Sequence, residues 1–71
     1  MANRIQRNKL MLSKWTAVTP VDREKHFLIT KLLEDEGAPL QVVAEAVYSK
    51  REYTFEWTAF KDDSQWKQGW H

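Results

Sequence analysis

The most regular stretch of the chain lies near its C-terminal third, where Tyr53, Phe55 and Trp57 alternate with Thr54, Glu56 and Thr58. A period of two puts the rings on one face of a strand and the polar residues on the other. That is the pattern of an antiparallel strand with one wet face. Upstream, Val42, Ala44, Ala46 and Tyr48 share one parity while Val43, Glu45, Val47 and Ser49 share the other, so residues 40–48 predict a second strand. Leu40 to Val47 also fits a short amphipathic helix, but its three valines and the strand that follows favour the extended form. His26 to Leu33 predicts a strand of mixed facing. Trp15-Thr16-Ala17-Val18 predicts another, with Trp15 and Ala17 on one face.

Between these segments lie the turns. Thr19-Pro20 is expected to stop the first strand, because proline has no N–H for the ladder. Val21 to Lys25 reads as a charged connection, and Glu34-Asp35-Glu36-Gly37-Ala38-Pro39 is the clearest turn. Ser49-Lys50-Arg51 separates the last two strands. Asp62-Asp63-Ser64 are helix N-cap types, and they predict one turn of helix through Gln65-Trp66-Lys67-Gln68, stopped by Gly69. Residues 1–9, polar and basic, read as a flexible basic arm whose one apolar residue past Ala2 is Ile5, leaving 10–71 as a single tryptophan-rich β domain.

The expected fold is mainly β: a small antiparallel meander of about four strands, partly closed like an SH3-type barrel, with a short C-terminal helical turn. An open antiparallel sheet capped by that turn is the runner-up. Edge strands leave a monomer or a weak homodimer open.

Composition narrows the function classes. A chain of 71 residues forms at most one domain, with a stability of about 3–5 kcal/mol. There is no cysteine, and His26 and His71 lie far apart, so neither a metal site nor a cofactor is expected. Nucleophilic catalysis needs a nucleophile, a base and an orienting group in contact, and His26 is the one plausible base. The acidic runs Glu34-Asp35-Glu36 and Asp62-Asp63 lack calcium-loop spacing, and two glycines cannot build a phosphate loop. A non-enzymatic protein is expected. No apolar run approaches the length of a signal peptide or membrane span, so the cytoplasm is the default and no membrane partner is expected.

The net charge of +1 hides an asymmetry. Residues 1–31 hold seven basic and two acidic side chains; residues 32–71 hold four and eight. Basic residues interleaved with rings suit single-stranded nucleic acid. Arg4, Arg7, Lys9, Lys14, Lys25, Lys50 and Arg51 are the candidate nucleic-acid contacts, with Trp15 and Tyr48 as stacking platforms. A solvated terminus explains the same charges, and a core position explains Trp15. The favoured expectation is a binding or adaptor module that contacts protein. Four tryptophans exceed what a small core needs, and Trp, Tyr and Arg dominate interface hot spots. Trp66 and Trp70 are the candidate protein contacts, or else a lid over the sheet. RNA or ribosome association through the arm is the alternative.

The ordered run Leu12-Ser13-Lys14-Trp15-Thr16-Ala17-Val18, Glu24-Lys25-His26-Phe27, Glu45-Ala46-Val47, Lys50-Arg51, Trp57, Lys61-Asp62 and Trp66-Lys67-Gln68-Gly69-Trp70 resembles a family of small tryptophan-rich bacterial proteins of unknown function. The resemblance spans about Leu10 to Trp70. It implies a bacterial, one-domain, stand-alone protein and carries no activity, ligand or partner with it.

Overall fold

The alternating aromatic segment is a strand in the computed structural model, which describes residues 2–71. Five strands follow one another: β1 (Lys14–Val21), β2 (Glu24–Leu33), β3 (Gln41–Ala46), β4 (Glu52–Glu56) and β5 (Trp66–Gln68). They form one antiparallel sheet in the order β4-β3-β2-β1-β5. The first four strands are a meander. The chain then crosses over and adds β5 to the free side of β1. The sheet is open, with β4 and β5 at its edges, and a small, partly open, barrel-like meander describes it.

The alternation works as the residue pattern requires. In β3, Val42, Ala44 and Ala46 are fully buried, and in β4 Tyr53 and Phe55 lean on the core while Glu52, Thr54 and Glu56 face solvent. Leu10, Trp15, Phe27, Ile29, Leu40, Phe60 and Trp66 complete the cluster. Phe60 is delivered by a single 3-10 turn, Trp57–Lys61, and its ring lies 4.5 Å from Trp66 and 5.0 Å from Trp15.

The mixed facing of β2 comes from a bulge. The pairing with β3 shifts between Ile29 and Lys31, so Thr30 is the extra residue. Phe27 and Ile29 point inward before it, and Leu32 packs inward after it, on the opposite parity.

Three local expectations need correction. The helical turn expected at Gln65–Gln68 is β5, where Ala17 pairs with Trp66, Thr16 with Lys67 and Trp15 with Gln68. Asp62 does form a turn: its Oδ1 accepts hydrogen bonds from the Ser64 N–H and hydroxyl, and its carbonyl accepts from Gln65 and Trp66. A helix this short is marginal alone, whereas an extended Trp66 fills the core and satisfies the edge of β1. Secondly, Pro20 does not end β1. It lies beyond the part paired with β5, where its missing N–H leaves no ladder bond unmade. Thirdly, β3 ends at Ala46, so Tyr48 sits exposed on the following turn rather than on the strand.

The connection read over Val21 to Lys25 contracts to two residues. Val21 pairs with Glu24, and Asp22 and Arg23 between them both have positive φ, 54° and 65°. A two-residue hairpin of this hand normally carries glycine at its second position. Arg23→Gly is therefore expected to stabilise the domain by about 0.5–1 kcal/mol. The check is a urea titration, with a higher midpoint and an unchanged slope.

Residues 2–9 lie along the domain; Met1 is outside the described residues. The Asn3 amide donates to the carbonyls of Phe60 and Trp66 at 2.9 and 2.8 Å. Gln68 donates to the Arg4 carbonyl at 2.6 Å, and Ile5 packs on the core. No helix among the described residues is long and apolar enough to cross a membrane.

Candidate functional site

An open sheet leaves a gap, and here the gap is lined with rings. β5 has three residues, and its pairing with β1 starts at Trp15 and stops at Ala17, with one further bond from the Val18 N–H to the Gln65 carbonyl. Thr19, Val21 and Asp22 continue past it. Together with Glu24, Phe27, Tyr53, Phe55, Gln65 and Trp66 they line a cleft of about 410 Å³. Phe27 comes from β2, Tyr53 and Phe55 from β4, and Trp66 from β5. The rings meet mainly edge to face: Phe27 and Trp66 at 5.2 Å, Phe55 and Trp66 at 5.6 Å, Phe27 and Tyr53 at 6.2 Å. Such pairs hold each other in place, so the walls are preorganised.

At the hairpin end of the cleft sits a carboxylate. Glu24 is 6% exposed, and its Oε1 accepts from the Tyr53 hydroxyl at 2.5 Å while Oε2 accepts from the Ser49 hydroxyl. Donation by Ser49, then by Tyr53, holds the Glu24 carboxyl below its ordinary value of 4.5, and the charge of Arg51 adds to this. Donating to Glu24 pushes the Tyr53 phenol above its ordinary value of 10.0. Both shifts tie stability to pH. The lowered Glu24 contributes stability that is full above 4.5 and is lost as pH falls through the folded value. The raised Tyr53 contributes stability that is full below 10.0 and is lost as pH rises through the folded value. Urea midpoints are accordingly expected to fall on both sides of a plateau, and Tyr53→Phe should reduce the loss on each side.

The residues expected to touch nucleic acid divide. Arg4, Lys9 and Lys14 come together around a second groove of about 730 Å³, whose lining includes no carboxylate. Arg7 instead faces Glu34 at 3.6 Å. Lys25 is exposed on β2, Lys50 is on the turn after β3, and Arg51 lies beside Glu24 and Tyr53. Trp15 forms the floor of the basic groove but is 2% exposed, and Tyr48 lies apart on its turn.

The two tryptophans expected as protein contacts also separate. Trp66 is in the core, 8% exposed, with its ring against the cleft. Trp70 is 42% exposed; its indole N–H donates to the Phe27 carbonyl at 3.0 Å, and Lys14 Nζ lies 4.8 Å from its ring centre. His26 directs Nε2 at the His71 carbonyl, 2.8 Å away.

Glu24 was invisible as a site residue in the sequence. Its partners lie 25 and 29 positions away, and nothing local distinguishes it from the other charges of its segment.

Both the ordered tryptophans and the five strands fall within residues 13–71, the span matched by the family described as "Tryptophan-rich protein (DUF2389)". The chain belongs to this family. Its function is unknown, and no curated protein and no solved structure matches the chain. The matched span of this DUF2389 protein contains every residue that lines the aromatic cleft. Of the three cations in the basic groove it contains Lys14 but neither Arg4 nor Lys9.

Proposed function

We propose that this DUF2389 protein is a non-enzymatic, cytoplasmic recognition module that takes a segment of a partner protein in its aromatic cleft. The observation that carries the reading is the convergence of Phe27, Tyr53, Phe55 and Trp66 on an opening whose one deeply buried polar side chain is Glu24. Apolar lining with few placed polar groups is the composition of a ligand site, and the volume falls in the usual range of about 300–1,000 Å³. Edge strand β4 supplies two of the rings, so a bound segment can also reach unpaired backbone groups. The family match over the whole lining supports the cleft ahead of the basic groove.

The test is a ¹H–¹⁵N titration with a pool of blocked random-sequence hexapeptides. Shifts at Ala17, Thr19, Glu24, Tyr53, Phe55 and Trp66 are expected. Shifts that avoid these residues, or none at millimolar peptide, contradict the reading.

A second reading draws on one observation, the gathering of Arg4, Lys9 and Lys14 without a carboxylate. It makes the protein a single-stranded RNA binder whose affinity falls steeply with salt. Unchanged spectra on adding mixed-sequence RNA at low salt would end it.

A further inference from the structure

We infer that the aromatic cleft selects a positively charged side chain, the guanidinium of an arginine in the bound segment. The inference rests on the recognition reading above and adds the chemistry of its occupant.

The lining contains two carboxylates, Asp22 and Glu24, and no lysine or arginine. An anionic ligand would meet like charge. A purely apolar one would cover the buried Glu24 without answering its charge. Glu24 has further capacity, since an ionised carboxylate offers about four acceptor sites and Tyr53 and Ser49 use two of them. Arg51, the cation beside it, is not part of the lining. A cation entering the slot therefore gains a counter-charge at its end and ring faces along its sides. Both contacts strengthen where water is excluded.

Guanidinium fits this slot better than ammonium. It is planar, weakly hydrated and able to stack on rings while it donates in a fork to a carboxylate. Phe27, Tyr53, Phe55 and Trp66 supply the rings, and Glu24 the acceptor. Asp22, at the hairpin turn, adds negative potential at the rim.

The experiment compares three blocked pentapeptides with the sequence Ala-Val-X-Val-Ala, in which X is arginine, lysine or citrulline. Citrulline keeps the shape and most of the donors of arginine and removes the charge. Binding to the unmodified protein is followed by ¹⁵N shifts at the lining residues, and the affinity ratio is read directly. Arginine is expected to bind about tenfold tighter than citrulline, with lysine between them. Added salt should narrow the ratio. In Glu24→Gln the preference should fall towards one. Because that change touches a buried hydrogen-bonded group and can unfold the chain, Asp22→Asn at the exposed turn is the second variant, with a smaller fall expected. Equal affinities for arginine and citrulline at the cleft overturn the selection and leave peptide recognition standing. If no peptide shifts the lining, selection and recognition fall together.

Discussion

Trp66→Ala is expected to yield no folded protein, and Trp70→Ala to yield a folded one. Both residues are tryptophans near the end of the sequence, four positions apart, yet they lie in different surroundings. Trp66 is buried and packs on Phe60 at 4.5 Å, on Phe27 at 5.2 Å and on Phe55 at 5.6 Å. Its truncation removes a ring that four elements share, at a cost of about 3–5 kcal/mol. A domain of this size has roughly that much in total. Trp70 has one hydrogen bond, one lysine over its face and a ring contact with His26 at 5.9 Å. Losing these costs about 1 kcal/mol. Amide dispersion in a ¹H–¹⁵N spectrum separates the outcomes: collapsed for Trp66→Ala, native for Trp70→Ala. A well-dispersed spectrum of Trp66→Ala would mean that β5 does not close the core.

The second large effect is functional. Thr19→Lys is expected to leave the fold unchanged and to weaken binding of the arginine pentapeptide by about tenfold or more. Thr19 is exposed, lies on β1 beyond its pairing with β5, and lines the cleft. A lysine there can lay its ammonium into the slot and compete for Glu24. Thr19→Glu adds negative charge at the same place and is expected to tighten binding. Thr54→Lys is the control, because Thr54 is exposed on β4 and does not line the cleft. If Thr19→Lys and Thr54→Lys weaken binding equally, the effect is one of general charge, and the cleft has no special part in it.

Much of the fold was legible in the residues because period-two alternation is a local signal. It located β3 and β4, put Tyr53 and Phe55 on the buried face, and set Val42, Ala44 and Ala46 on one parity without saying which parity faces inward. The fifth strand was not legible. Asp62-Asp63-Ser64 resembles a helix start, and what overrides it is the pairing of Trp66 with Ala17, a contact far away in sequence. The bulge at Thr30 left only a blurred trace, the mixed facing of β2. The hairpin at Asp22-Arg23 was hidden because it carries no glycine. For the site, the aromatic residues were evident as a class, but their convergence depends on β5 stopping short beside β1 and on β4 lying across the gap. Glu24 is the clearest case: three segments meet to make it a site residue, and its own neighbours in sequence say nothing of this.

Docking of partner segments between the rings would show directly in intermolecular NOEs. With the unmodified protein and the arginine pentapeptide, cross-peaks are expected from the ring protons of Phe27, Tyr53, Phe55 and Trp66 to the peptide side chains. Cross-peaks confined to Trp70 or to the groove of Arg4, Lys9 and Lys14, with none to those four rings, would contradict it.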